Sequence, residues 1–239
     1  MKPKIFILSV LGAASLGLSQ AASANWQSGI CPQPNMGPAP CIEWSDGTNT
    51  YHFNGDGGQA GEWHGHPNGG SFNFKGRTTL ICDNNTVECD LGLDGRVRKD
   101  YDPVDGTWKV SIEVSDATVD NGLLCGFVNV SGFPWYIDEN DEHGSYTSAV
   151  DVGIPYNNAT TPPIDFIGSI GPIGVSVPLL GINVTNGHMH DITYDNSNTF
   201  SFGTGMLDEN IYASDETLTG CTVSGDLDLQ PLGDILTIY

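Results

Sequence analysis

The chain has 239 residues, with 8 basic side chains against 29 acidic ones and a formal net charge of −21. So large an acidic excess repels nucleic acid and anionic lipid head groups, which excludes both as partners. The length suffices for one β-rich domain with a full core.

The chain opens MKPKIFILSVLGAASLGLSQAASA. Lys2 and Lys4, the apolar stretch from Ile5 to Leu18, and Ala22-Ser23-Ala24 are the three parts of a secretory signal peptide, which predicts residues 1–24 as a leader cleaved before Asn25. The apolar stretch falls short of the ~20 residues that a spanning helix needs. No later stretch reads as a transmembrane helix. The expectation is a protein that is secreted, or attached to the cell surface by something other than a helix. Leader removal takes two lysines and no acid, leaving 6 basic and 29 acidic residues, a charge of −23. Solubility in a salty medium accounts for such a charge, and divalent cation binding is the sharper reading.

Residues 25–70 are rich in Gly, Pro and Asn and poor in aliphatics. PQPNMGPAP lies between Cys31 and Cys41, which suggests a loop closed by a local disulfide. GDGGQAGEWHGHPNGG holds too much glycine for a helix or a long strand. From Ser71 the period becomes two. Phe72 and Phe74, then Thr79 to Cys82, then Val87, Cys89, Leu91 and Leu93, then Trp108, Val110, Ile112 and Val114 alternate with polar residues, as half-buried strands do. Turns are predicted at Asp83-Asn84-Asn85, Asp94-Gly95 and Tyr101 to Gly106. Asn121 to Ile137, NGLLCGFVNVSGFPWYI, is the most apolar run past the leader and reads as one or two buried strands at the middle of the fold. Asp138 to His143 reads as a solvated loop, Tyr146 to Ile154 as a strand, and Thr160 to Pro163 as a break. Ile164 to Val184 suits strands, since Pro172 and Pro178 bar a regular helix. Thr199 to Phe202, Cys221 to Leu229 and Ile235 to Tyr239 complete about ten to twelve strands with no helix. Residues 71–239 are therefore expected to form an all-β domain, an antiparallel β-sandwich or Greek-key barrel. The terminal GDILTIY also resembles the last strand of an outer-membrane barrel, but the strands are shorter and less regular than such barrels need.

Six cysteines, Cys31, Cys41, Cys82, Cys89, Cys125 and Cys221, form an even set that suits disulfides in an exported protein. The preferred pairing is Cys31–Cys41, Cys82–Cys89 and Cys125–Cys221, because the first two close short loops. A zinc site is the competitor, and the absence of paired CxxC spacing argues against it.

His64 and His66, and His188 and His190, are each spaced i, i+2, which on a strand puts both rings on one face. A two-His pair can hold Zn²⁺ or Cu²⁺. His188, His190 and Asp191 form the better metal candidate because a carboxylate follows at once. The acids Asp138, Glu139, Asp141 and Glu142 lack the spaced ligands of an EF-hand loop. There is no GxSxG, no HExxH and no phosphate cradle, so neither a catalytic residue nor a cofactor is expected. Trp26, Trp44 and Trp63 either stack on sugars or apolar material, or cover one end of the domain.

Three segments carry a resemblance: CDLGLDGRV at Cys89 to Val97, SDATVDNGLLCGFVNVSGFPW at Ser115 to Trp135, and GCTVSGDLDL at Gly220 to Leu229. In order and spacing they resemble the exported bacterial alkane-oxidation activators of the PraA/PraB family. The resemblance implies a secreted, non-enzymatic protein made during growth on long-chain alkanes, which contacts or emulsifies hydrocarbon or cell-surface material or joins a surface film. It implies no catalytic residues. The alternative expectation is a self-associating subunit of an extracellular fibre or biofilm matrix, assembled by strand addition.

Overall fold

The structure, a computed structural model, describes residues 26–31, 40–53, 61–140, 146, 151–156, 165–195, 198–206 and 208–239. The expected leader, the Thr160 to Pro163 break, and Asp141, Glu142 and His143 of the acidic loop lie outside the described residues. Three short strands come first: β1 (Gln27–Ser28), β2 (Ile42–Ser45) and β3 (Thr50–Phe53). The longest strands follow, β4 (Phe72–Cys82), β5 (Asn85–Asp102) and β6 (Thr107–Asp120). Then come β7 (Asn129–Ser131), β8 (Trp135–Asp138), β9 (Ile154–Pro155), β10 (Phe166–Val177), β11 (Ile182–Tyr194), β12 (Thr199–Phe202), β13 (Asn210–Tyr212), β14 (Leu218–Gln230) and β15 (Ile235–Ile238). Two single 3₁₀ turns, Cys125–Phe127 and Pro178–Leu180, are the only helical segments among the described residues.

The main sheet closes into an eight-stranded antiparallel barrel, so the expected all-β class takes its barrel form. Around the wall run β4, β5, β6, β8, β10, β11, then β12 and β13 end to end, then β14, which returns to β4. Phe74, Leu80, Val87, Leu93 and Val97 point inward, as their alternation with polar residues predicts, and are buried. A second sheet, in the order β1-β3-β2-β15, joins the early strands to the C-terminal one. It covers one end of the barrel, hereafter the lower end. There Lys99 is fully buried, and its Nζ donates to the carbonyls of Pro40 at 2.9 Å and Phe53 at 3.0 Å. Tyr194 donates to the Leu236 carbonyl, and Trp44 Nε1 donates to Asp234 Oδ2 at 3.1 Å. Trp26 packs edge-on against Phe53, and Trp63 stacks on Tyr136 beneath the Arg98 guanidinium. The three tryptophans of the N-terminal block thus cover the barrel.

The opposite, upper end carries the turns at Asp83-Asn84, Asn121 to Val128, Pro178 to Gly181 and Ala213 to Thr217. Two sequence expectations change here. Asp94-Gly95 is not a turn: both residues continue β5, and the extra residue of a bulge lies opposite them, Ser115 of β6, whose Oγ donates to the Asp94 carbonyl at 3.1 Å. Gly95 suits the place opposite the bulge because a Cβ there would meet the Glu113 carbonyl oxygen at 2.8 Å. The Asn121 to Ile137 run gives two strands, as the reading allowed, but only β8 is buried. Leu123 is 95% exposed and Phe127 52%, and β7 and β8 pair with different stretches of β10.

The disulfides are Cys31–Cys41, as expected, with Cys82–Cys221 and Cys89–Cys125 in place of the other two pairs expected. The reason lies in the ladders. Cys82 stands opposite Cys221, whereas Cys89 stands opposite Thr78, four residues along β4 from Cys82. That offset is roughly 13 Å, beyond the ~7 Å Cα separation that a disulfide tolerates.

Candidate functional site

Two constellations stand out in the barrel, one inside the wall and one outside it. The inner one follows from the bulge at Ser115. Below it, β6 is bonded on both sides, to β5 and, through Glu113 and Val114, to β8. Above it, Ser115 to Asp120 stay with β5 alone, while β7 pairs only with β10, through Ser131, Val130 and Asn129 against Gly174, Val175 and Ser176. No strand pairing joins upper β6 to β7 among these described residues, so the wall has a seam. Gly132 helps to set it. Its φ of +92° suits glycine, and a Cβ there would meet the Pro172 carbonyl oxygen at 2.5 Å.

Behind the seam lies a cavity of about 80 Å³. Leu91, Val119, Val128, Val130, Val175 and Val223 line it and are only half-buried, so the apolar lining reaches the surface. Leu80, Trp135, Ile173, Met189 and Phe202 form its buried walls. The one hydroxyl in the lining, Thr78 Oγ1, donates to the Cys89 carbonyl at 3.2 Å. Apolar voids on this scale stay dry and take up small apolar molecules. The Cys89–Cys125 disulfide straps the Asn121 to Phe127 loop across the top. Asn121 secures the same loop on the outer face: its Nδ2 donates to Asp90 at 2.8 Å and its carbonyl accepts from Arg77 at 2.7 Å. Asn121 first and Arg77 second hold the Asp90 carboxyl below its ordinary range.

The outer constellation lies on β11. Met189 and Ile192 point into the barrel, and His188 and His190 point out, as the i, i+2 spacing predicts. The expected third member does not join them. Asp191 sits at a bulge with φ +54°, where the pairing with β10 gains an extra residue, and its carboxylate turns to accept from Asn140 Nδ2 at 2.6 Å. Glu216, from the turn between β13 and β14, takes that place. Its Oε1 lies 2.7 Å from His188 Nε2, and its Oε2 lies 3.2 Å from His190 Nε2. One donor atom from each of the three residues lies within 4.8 Å of the others. Glu216 holds φ at +65°, a left-handed conformation that costs a non-glycine residue about 1 kcal/mol. Nothing local in the sequence marks Glu216, which comes from a different hairpin. His188 is 1% exposed and packs between Tyr146 and Tyr212. His64, by contrast, is buried against Phe53 at the lower end, and His66 lies against Asp234, so this pair does not converge. Asp138 and Glu139 stand beside Gly153 and Lys109 and take no part in either constellation.

No helix among the described residues is long and apolar enough to cross a membrane. The chain matches the family model described as alkane oxidation protein activator PraA/PraB-like over residues 57–237, which spans the whole barrel wall, the cavity and the His–Glu cluster. No curated protein and no solved structure matches it.

Proposed function

The chain belongs to the PraA/PraB-like family of alkane oxidation protein activators, and from that premise we propose that it is an exported, non-enzymatic protein that helps cells contact long-chain alkanes by seating hydrocarbon in the upper cavity. The apolar cavity behind the seam is the observation that carries this reading. Its half-buried valines offer an alkyl chain a route in from the wall, and the hydroxyl of Thr78 and the indole N–H of Trp135 in its lining are both already bonded. Burying a methylene is worth ~0.8 kcal/mol, so a few of them seated there give measurable binding. The acidic surface then keeps coated droplets apart, which is the emulsifying role. Three disulfides suit an oxidising compartment outside the cytoplasm.

The test is displacement of a fluorescent long-chain probe by hexadecane. Wild-type protein is expected to bind the probe and release it to hexadecane, whereas Val130→Trp, which fills the cavity at the seam, binds at least ~10-fold less, a difference of about 1.4 kcal/mol. Equal binding by both proteins rejects the cavity as the site. A second reading, assembly by strand addition, draws on the open edges of upper β6 and β7. Asp116 and Asp120 on the β6 edge oppose it, since charges on an edge discourage pairing. Size-exclusion chromatography and electron microscopy at high concentration decide the matter: fibres support it, and a strict monomer rejects it.

A further inference from the structure

We propose that His188, His190 and Glu216 form a site for a borderline transition-metal ion of the Zn²⁺ class, which fastens the β13–β14 turn to the outer wall of β11. The proposal is independent of the hydrocarbon reading and uses the opposite face of β11.

Four observations lead to it. Two imidazole nitrogens and a carboxylate converge, with donor atoms within 4.8 Å of one another. Metal bonds of ~2.0–2.1 Å bridge such separations after small side-chain movements. The second observation is the set of partners around His190 Nδ1. Ser169 Oγ donates to the Asn140 carbonyl at 2.9 Å, and His190 Nδ1 lies 2.7 Å from that hydroxyl and 3.0 Å from the same carbonyl. A carbonyl only accepts, so the contact with the Asn140 carbonyl places a hydrogen on Nδ1. Nε2 then faces the Glu216 carboxylate at 3.2 Å. A cation joins the two, either a proton on Nε2 or a metal ion. A histidine whose far N–H donates to a carbonyl is also the usual arrangement at a metal centre, because that hydrogen bond orients the ring and raises its basicity.

Third, the cluster has an outer side. Glu216 is 31% exposed and His190 14%, so an ion can enter and keep water at its remaining positions. Fourth, Glu216 occupies a left-handed turn position at φ +65° that glycine or asparagine would fill with less strain. The turn itself is already closed by hydrogen bonds between Ala213 and Thr217 and between Glu216 and Ala213. The carboxylate therefore has a task other than shaping the turn. Two nitrogens with one oxygen favour Zn²⁺, Cu²⁺ or Ni²⁺ over Ca²⁺ and Mg²⁺, which take oxygen shells. That separates this cluster from diffuse cation attraction by the acidic surface.

The experiment uses untagged, fully oxidised protein stripped with chelator. ZnCl₂ is titrated by calorimetry, and bound zinc is counted by elemental analysis after gel filtration. Wild type is expected to hold a single Zn²⁺ per chain, to melt at higher temperature when loaded, and to keep the ion in excess CaCl₂. Glu216→Gln preserves the shape of the turn and is expected to bind at least ~10-fold more weakly and to lose the thermal shift. Asp191→Asn, at the residue that faces Asn140 instead, is expected to behave as wild type. No saturable binding, meaning that a proton alone sits between the groups, overturns the proposal. So does equal binding by wild type and Glu216→Gln, or loss of binding in Asp191→Asn to the same degree.

Discussion

The two ends of the barrel are built from the same hairpins and are held in different ways. The lower end is plugged. A second sheet lies across it, and a buried lysine, a buried tyrosine and two tryptophans bond polar atoms over the join. The upper end is hollow, with an apolar cavity, a seam between β6 and β7, and two of the three disulfides. Packing supplies rigidity where the barrel is full, and covalent bonds supply it where the barrel is empty. The change occurs at the bulge that pairs Asp94-Gly95 with the step at Ser115.

Breaking each end's own device should expose this difference. The largest effect is expected at the upper end. Cys82→Ala with Cys221→Ala opens a link between residues 139 apart, which the chain-entropy account values at about 5 kcal/mol. Urea unfolding followed by circular dichroism measures the loss; a cost under 1 kcal/mol would mean that the hollow end does not depend on the cross-link. At the lower end Lys99→Met keeps the bulk of the side chain but abandons two buried carbonyls. It should cost about 3 kcal/mol by the same assay and leave hydrocarbon binding untouched. Val130→Trp reverses that pattern: stability within about 2 kcal/mol of wild type, with probe binding lost.

The smallest effect concerns the upper wall beside the His–Glu cluster. Partial burial raises the Asp208 carboxyl, but hydrogen bonds from the Tyr212 hydroxyl and from Asn210 outweigh it and leave the pKa below the ordinary value of 3.8. A depressed carboxyl stabilises the fold above its unfolded pKa, and the contribution is lost as pH falls through the folded value. Melting temperature should therefore drop more between pH 5 and pH 2 in wild type than in Asp208→Asn; parallel curves would remove Asp208 from the account.

The strands were legible because alternation reports one buried face, and Phe72, Phe74, Val110 and Ile112 obey it. The upper end was harder to read, for three physical reasons. Asp94 and Gly95 suit a turn, but they also suit a strand facing a bulge, and only the partner strand, which carries the extra residue Ser115, decides between them. Leu123 and Phe127 belong to an apolar run, but an apolar run does not say which way it faces, and here part of it lies over the barrel mouth. Cys82 and Cys89 are near in sequence yet lie on opposite arms of one hairpin, which carries them apart. The cluster divides in the same way. His188 and His190 follow from strand periodicity, while Asp191 is turned aside by a bulge and Glu216 arrives from another hairpin.

The most direct test of hydrocarbon uptake at the hollow end is to count intermolecular nuclear Overhauser effects between ¹³C-labelled hexadecane and the protein's methyl groups. The account predicts contacts with Val128, Val130, Ile173 and Val175 at the seam, and none with the exposed lower-end side chains Val104 and Ile235. Equal contacts at both ends, or contacts with Val104 and Ile235 alone, would contradict it.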